Sequence, residues 1–327
     1  MTKFGIIGAG GIARTMARTI REMPDVESTA IAARDLDRAQ AYAEEYGFNK
    51  AYGSYEELLA DPEVELVYIA LPHSHHCQWT MAALEAGKHV LFEKAFAVSE
   101  DEAREMISLS EEKGLLLTEA IWTRYLPSRK MISDLIEEGA IGEVQTVSAN
   151  LGYCIHKHDR IVNPELAGGA LLDLTVYPLN FASMILGNDI ESIDSVCVLT
   201  DTGVDGQDSV TLRYRNGKTA MMFTTIYALT DRRGMIYGDK GFIEVQNINN
   251  PEVIRVWSND RHPGPKLLQE FKAPPQITGF EYEVEACIRA IAAGACECPE
   301  MPHAETLEIM RQMDTIRAQF GIVFPFE

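Results

Sequence analysis

Positive charge is scarce in this sequence: 29 lysines and arginines stand against 49 aspartates and glutamates in 327 residues, a formal net charge of −20. Such a chain repels nucleic acid and anionic membrane surfaces. Cysteine is scarce too. Six thiols, Cys77, Cys154, Cys197, Cys287, Cys296 and Cys298, are scattered through a large chain, which excludes a dense disulfide framework. Cys296-Glu297-Cys298 lacks the second thiolate pair that would make a zinc site at this spacing. Apolar runs fall well short of the roughly 18 residues that suggest a membrane span. Residues 1 to 10 enter a strand with no signal-peptide layout. No internal repeat, low-complexity tract or flexible linker is present. The expectation is a cytoplasmic protein with neither a nucleic-acid nor a membrane partner.

Apolar residues, by contrast, are ample at 46%, and the chain is long for one core, so two domains are expected. The first strand runs into Lys3-Phe4-Gly5-Ile6-Ile7-Gly8-Ala9-Gly10-Gly11-Ile12-Ala13. Gly8 and Gly10 permit a tight turn with backbone close to a pyrophosphate, and small Ala13 lets the following helix sit against the strand. Strand, turn and helix are the context a dinucleotide site requires. Because the whole chain is acidic, a cofactor phosphate needs locally concentrated cations.

Strand patterns follow at Ser28 to Ala33, Leu66 to Leu71, His89 to Phe92 and Leu115 to Glu119, with helical patterns at Asp37 to Tyr46, Tyr55 to Ala60, His75 to Ala86 and Glu100 to Lys113. This alternation predicts a doubly wound parallel sheet. After residue 120 the pattern changes. Helices are predicted over Ser128 to Glu138 and Leu171 to Leu186, and strands over Val144 to Gly152, Ile193 to Thr200, Val210 to Tyr214, Thr219 to Ile226 and Gly241 to Val245. Asn216-Gly217 marks a hairpin, and an antiparallel sheet with helices on one face is expected. Phe280 to Ala293 and Ala304 to Phe320 read as closing helices. The fold expected is α/β followed by α+β: an NAD(P)-binding domain over 1–120 and a substrate-binding and oligomerisation domain over 121–327.

The second strand ends Ala30-Ile31-Ala32-Ala33-Arg34-Asp35. An acidic side chain at this distance bonds the ribose of NAD, whereas arginine accommodates the 2′-phosphate of NADP. Ala33 and Arg34, supported by Arg38, favour NADP. NAD remains the alternative, with Asp35 as ribose ligand if the strand ends one residue later. Pro72-His73-Ser74-His75-His76 resembles a metal cluster but has no Asp, Glu or Cys at ligand spacing, and Ser74 suits a helix cap, so no metal is expected. Lys94 directly follows a buried strand at the ligand-binding edge of such a sheet, although a solvated loop lysine fits equally well. Asp173 and Tyr177 are four apart and share a helix face. Together they can hold a hydroxyl and move its proton, while a cation such as Lys94 would stabilise phenolate. Taken alone, a dipole-favoured aspartate and a buried tyrosine explain them as well.

Together these marks resemble the glucose-fructose oxidoreductase and inositol dehydrogenase (Gfo/Idh/MocA) family over essentially the whole chain. Ala32-Ala33-Arg34-Asp35-Leu36, Ala51-Tyr52-Gly53-Ser54-Tyr55-Glu56-Glu57-Leu58, Glu119-Ala120-Ile121-Trp122-Thr123-Arg124 and Gly168-Gly169-Ala170-Leu171-Leu172-Asp173-Leu174 are similar to its dimeric dihydrodiol dehydrogenase branch. The resemblance implies a Rossmann domain and an open antiparallel sheet often used for dimerisation, hence a homodimer or a dimer of dimers. It makes Lys94 the catalytic lysine, Tyr177 the acid/base residue, Asp173 a substrate contact and Trp122 an aromatic wall of the same pocket. On the cofactor it places Gly8, Gly10, Gly11 and Ile12 of the turn, Arg34 and Arg38. Leu71, His76, Glu93 and Lys94 complete that set.

Three departures limit the transfer. Ala95 stands where proline usually follows the lysine, so a cis bond there would lose proline's low cost. Thr175 replaces a common glycine, and Leu151 lies where the dihydrodiol branch offers an aromatic. The activity implied is reversible hydride transfer between nicotinamide and a sugar, polyol or vicinal diol. Rival readings are a nucleotide-binding redox sensor without turnover, a methyltransferase, and a reductase of an imine or enone. Selectivity rests on the loop Cys154 to Asn163, where His156 and His158 are read as exposed loop residues ahead of substrate contacts.

Overall fold

Short apolar runs, each too small to bury itself, alternate with helices whose caps are written in the sequence. A computed structural model describes all residues, 1–327, and the chain divides into two compact units. The first begins β1 (Thr2–Ile7), α1 (Gly11–Arg21), β2 (Val26–Ala32), α2 (Leu36–Tyr46), β3 (Lys50–Tyr52), α3 (Tyr55–Leu59) and β4 (Leu66–Ile69). It continues through α4 (His76–Glu85), β5 (His89–Glu93), α5 (Glu100–Lys113) and β6 (Leu117–Ala120). Asp35, Ser54 and Ser99 each cap a helix through a backbone N–H, and Gly47 and Gly114 end α2 and α5 at positive φ. The six strands are all parallel, in the order β3-β2-β1-β4-β5-β6. This is the doubly wound order whose ligand crevice lies outside the carboxyl ends of β1 and β4.

In the second unit, α6 (Pro127–Glu137), β7 (Val144–Gly152), the short α7 (Asp159–Val162) and α8 (Val176–Leu186) precede the strands β8 (Ile190–Leu199), β9 (Asp205–Tyr214) and β10 (Thr219–Thr225). β11 (Gly234–Gly238), β12 (Gly241–Gln246), β13 (Val253–Ser258) and β14 (Leu267–Lys272) complete an eight-stranded sheet in the order β14-β13-β12-β11-β7-β10-β9-β8. Its pairs are antiparallel except β7 with β10, so the sheet is mixed at its centre. α8 packs on β7 and β10 and is buried nearly all round, as a core helix must be. The chain ends with α9 (Glu281–Ala292) and α10 (His303–Phe320).

Several expectations change. The first unit comprises Met1–Tyr125 with Gln276–Met310, and the second Leu126–Pro275 with Arg311–Glu327, rather than a single division at residue 120. Residues 276–310 return to the first unit because α9 packs on β5 and the Leu117 N–H donates to the Cys296 carbonyl at 2.9 Å. The segment Pro164–Leu186 is, by length and by a mean hydropathy of 1.3 in its most apolar window, apolar enough to span a membrane, although Glu165 and Asp173 interrupt it. It is a core segment, since 83% of its most apolar window is buried in the fold. Nor is it one α-helix. Pro178 has no N–H to offer the Leu174 carbonyl, and before it residues Leu171–Thr175 widen into a π-turn in which the Val176 N–H reaches the Leu171 carbonyl.

Candidate functional site

The residues singled out by sequence fall in both units. In the first, β1 stops at Ile7 and Gly8 turns the chain at φ +101°, its N–H donating to the Ala32 carbonyl at 2.9 Å. A Cβ there would lie 2.5 Å from the Ala70 carbonyl oxygen, so no side chain fits between β1 and β4. Gly10 and Gly11 face open space. α1 starts on Gly10 with no side-chain cap and no acidic residue in its first turn, leaving N–H donors for an anion. A cradle closed below by Gly8 and open above Gly10, Gly11 and Ile12 fits a cofactor pyrophosphate.

Two side chains of α2 brace this turn. The Arg38 guanidinium donates to the Ala9 carbonyl, and the Tyr42 hydroxyl donates to the Gly10 carbonyl at 2.7 Å. Arg38 therefore serves the turn's backbone. Tyr42 escaped the sequence reading, although its place four residues after Arg38 on one helix face is the signal that would have found it. The Asp35 carboxylate caps α2 by accepting the Arg38 N–H at 3.2 Å, whereas Arg34 is exposed at the end of β2. Arg34 lies near enough to His75 that its charge, behind burial, helps lower that imidazole's proton affinity.

His76 is fully buried, with Nδ1 2.8 Å from the Ala95 carbonyl oxygen and Nε2 2.9 Å from that of Leu71. Burial pulls the imidazole down to about 4, so the ring is neutral and donates its one N–H to either carbonyl. With both nitrogens facing backbone, His76 ties the loop after β4 to the turn after β5, at the residue next to Lys94. The Lys94–Ala95 peptide is cis. Glu93 is buried and accepts the Tyr68 hydroxyl. On the neighbouring strand Glu119, wholly buried, is pushed up to about 7 by burial, against the opposing charges of Arg124 and Lys94. Trp122 meets Phe280 edge-on, ring centroids 4.9 Å apart, and a Cβ at Gly279 would lie 3.0 Å from Trp122 Cζ3.

In the second unit Asp173 and Tyr177 sit on the π-turn and the first turn of α8, 5% and 8% exposed. The Arg160 guanidinium donates to Asp173 Oδ1 at 2.9 Å. Arg160 belongs to α7, inside the loop whose path the sequence did not disclose, and no motif announced it. Of that loop's histidines, His158 is exposed and His156 lies against Tyr227 with ring centroids 5.4 Å apart.

Residues 2–121 match the oxidoreductase family with an NAD-binding Rossmann fold, and residues 130–244 match the GFO/IDH/MocA C-terminal domain. The chain is 35% identical to a trans-1,2-dihydrobenzene-1,2-diol dehydrogenase of Danio rerio, covering 98% of each, and 33% identical to that of Mus musculus, covering 99% and 98%. Among solved structures it is similar to KijD10, a 3-ketoreductase from Actinomadura kijaniata bound to NADP and TDP-benzene, with TM-score 0.87, 28% identity and 97% of both chains covered. It shares the fold of a levoglucosan dehydrogenase at TM-score 0.86 and 20% identity, covering 98% and 97%.

Proposed function

The chain belongs to the Gfo/Idh/MocA family of oxidoreductases, and from that premise we propose that it interconverts a hydroxyl of a sugar, polyol or vicinal diol with the matching carbonyl, using NADP. One observation carries the reading: a carboxylate and a phenol, both buried, stand four residues apart, on the π-turn and on the first turn of α8, in a chain that also keeps Lys94 at the end of β5. The nicotinamide, when bound, supplies the hydride acceptor or donor. Tyr177 takes the hydroxyl proton in oxidation and returns it in reduction. Lys94 orients the alcohol oxygen. Asp173, held as a carboxylate by Arg160, accepts a second hydroxyl, which selects diols and sugars over simple alcohols. Trp122 offers an apolar wall for a ring face. A panel of sugars, diols and dicarbonyls, including trans-1,2-dihydrobenzene-1,2-diol and levoglucosan, followed by nicotinamide absorbance in both directions tests this. Absence of turnover with every compound would return the chain to the non-catalytic sensors.

NADP over NAD is supported by Asp35, whose carboxylate is committed to the α2 cap while Arg34 stands exposed at the adenosine end. Arg34→Ala should weaken NADPH by about tenfold to a hundredfold, one charge-assisted phosphate contact, and leave NADH unchanged. Equal loss of both cofactors, or of neither, removes Arg34 from the 2′-phosphate. A cytoplasmic setting is supported by six free thiols.

A homodimer is supported by the sheet face opposite α8. There Val196 and Val198 of β8 and Met221 and Phe223 of β10 are 69%, 55%, 49% and 49% exposed. Val196 and Phe223 flank Ser209 in one cross-strand row. Large apolar side chains exposed together on one sheet face mark an interface. Val198→Glu with Phe223→Glu should give a monomer of unchanged melting temperature by light scattering; an unchanged mass would move the interface elsewhere.

A further inference from the structure

Asp205 and Asp208 lie at the start of β9, which packs with β10 against the π-turn. Both are 3% exposed. Asp205 Oδ2 accepts the Leu171 N–H at 2.5 Å, and its Oδ1 fills the space where a Cβ at Gly169 would fall. Asp208 Oδ2 accepts the Thr175 hydroxyl at 2.6 Å and lies 3.3 Å from the Thr224 hydroxyl, which is itself 2.6 Å from that of Thr175. Asp208 Oδ1 is buried with no hydrogen-bond donor against it, which leaves it the place for a proton, and the charge of the neighbouring Asp205 favours binding one there.

These contacts fasten both ends of the five-residue turn Leu171–Thr175, one through backbone and the other through a hydroxyl. Thr175, where relatives of this kind commonly carry glycine, supplies the second fastening. Resting on the reaction proposed above, we propose that Asp205 and Asp208 share a single proton and are positioning residues for Asp173 and Tyr177, fixing the turn that carries Asp173 and leads directly into the first turn of α8, where Tyr177 sits.

The electrostatics require one proton, neither two nor none. Two ionised carboxylates in contact repel in a buried site. Two neutral ones would accept from Leu171 and Thr175 more weakly than a charged acceptor does. One shared negative charge is compensated by those donors and by the amino-terminal end of the helical segment 171–186. Burial holds both groups above the usual carboxylate range, Asp205 at about 6, and for Asp208 the charge of Asp205 adds to it. Cys197 on β8 faces the pair, its thiol pushed up to about 11 by burial and by both carboxyls, so it brings no competing charge at neutral pH.

The test uses the full chain with aspartate labelled by 13C at the side-chain carboxyl, which separates its infrared band from those of buried glutamates. Wild type should show a protonated aspartyl C=O band at neutral pH, and Asp208→Asn should abolish it. In Asp208→Leu and Thr175→Val, exchange of the Leu171 amide should quicken about tenfold, the worth of one buried hydrogen bond. Their kcat on the best panel substrate should fall similarly with the NADPH KM unchanged. Asp208→Asn, which keeps a donor and an acceptor in place, should restore both values to within about twofold. A wild type without the band, or Asp208→Asn as impaired as Asp208→Leu, overturns the proposal. The band stands as a test even if a variant fails to fold. Wild-type turnover in Tyr177→Phe would sink the reaction instead, leaving the band and the amide exchange to judge the pair.

Discussion

Tyr177→Phe is expected to lower kcat by about 10²- to 10⁴-fold, the usual worth of a positioned acid or base, while NADPH affinity stays within about twofold. The substitution keeps the ring that α8 buries and removes only the oxygen, so the melting temperature should hardly move. Asp173 does not substitute for the phenol as a base, because Arg160 at 2.9 Å stabilises its charged form. Arg160→Ala should accordingly act on KM for a diol more than on kcat, by freeing the carboxylate proposed to hold the second hydroxyl. A Tyr177→Phe enzyme with wild-type kcat on the same substrate would take the proton transfer away from this residue and reopen the imine or enone chemistry, which needs no alkoxide.

Much of this was legible from local rules because those rules happen to be local in space. Glu100–Lys113 begins at a serine cap and ends at a glycine, and the structure gives it those bounds. The glycine turn, Lys94 and the Asp173 to Tyr177 spacing could be named because each sits at a strand end or on one helix face. Several features were invisible because they depend on pairing between distant segments. β14 is exposed along most of its length and shows no alternation to read, and β11 begins with Gly234, where a Cβ would overlap the Phe181 ring. The parallel pairing of β7 with β10 joins strands separated by two others and two helices. Arg160 is legible only once a 13-residue separation is closed by folding. The Asn216-Gly217 signal was right about the hairpin, with one residue more than the tightest turn: Tyr214 pairs with Lys218 and Gly217 takes φ +84°.

The glycine turn itself yields the sharpest contrast, because its glycines are glycine for different reasons. Gly8→Ala must place a Cβ 2.5 Å from the Ala70 carbonyl oxygen and 3.2 Å from Leu71 Cδ2, at φ +101°. That carbonyl belongs to backbone held by the Ala70 N–H donating to the Ile7 carbonyl at 2.8 Å, so it cannot turn aside without parting β1 from β4. Backbone strain of about 1–3 kcal/mol and a clash of about the same size add. The variant should lose roughly 2–6 kcal/mol of stability, a large share of what holds such a domain folded. Gly10→Ala and Gly11→Ala meet nothing within 4 Å, and Gly10 sits at φ −95°, so the free protein should melt as wild type does. Their new methyl groups occupy the open space above the first turn of α1, the space assigned to the pyrophosphate. NADPH affinity, read by quenching of tryptophan fluorescence, should therefore fall at Gly10 by about tenfold or more with no change in stability, on the scale of one lost charge-assisted contact. A Gly10→Ala protein that binds NADPH like wild type would mean that the phosphates do not lie on this turn, whatever the strand order around it.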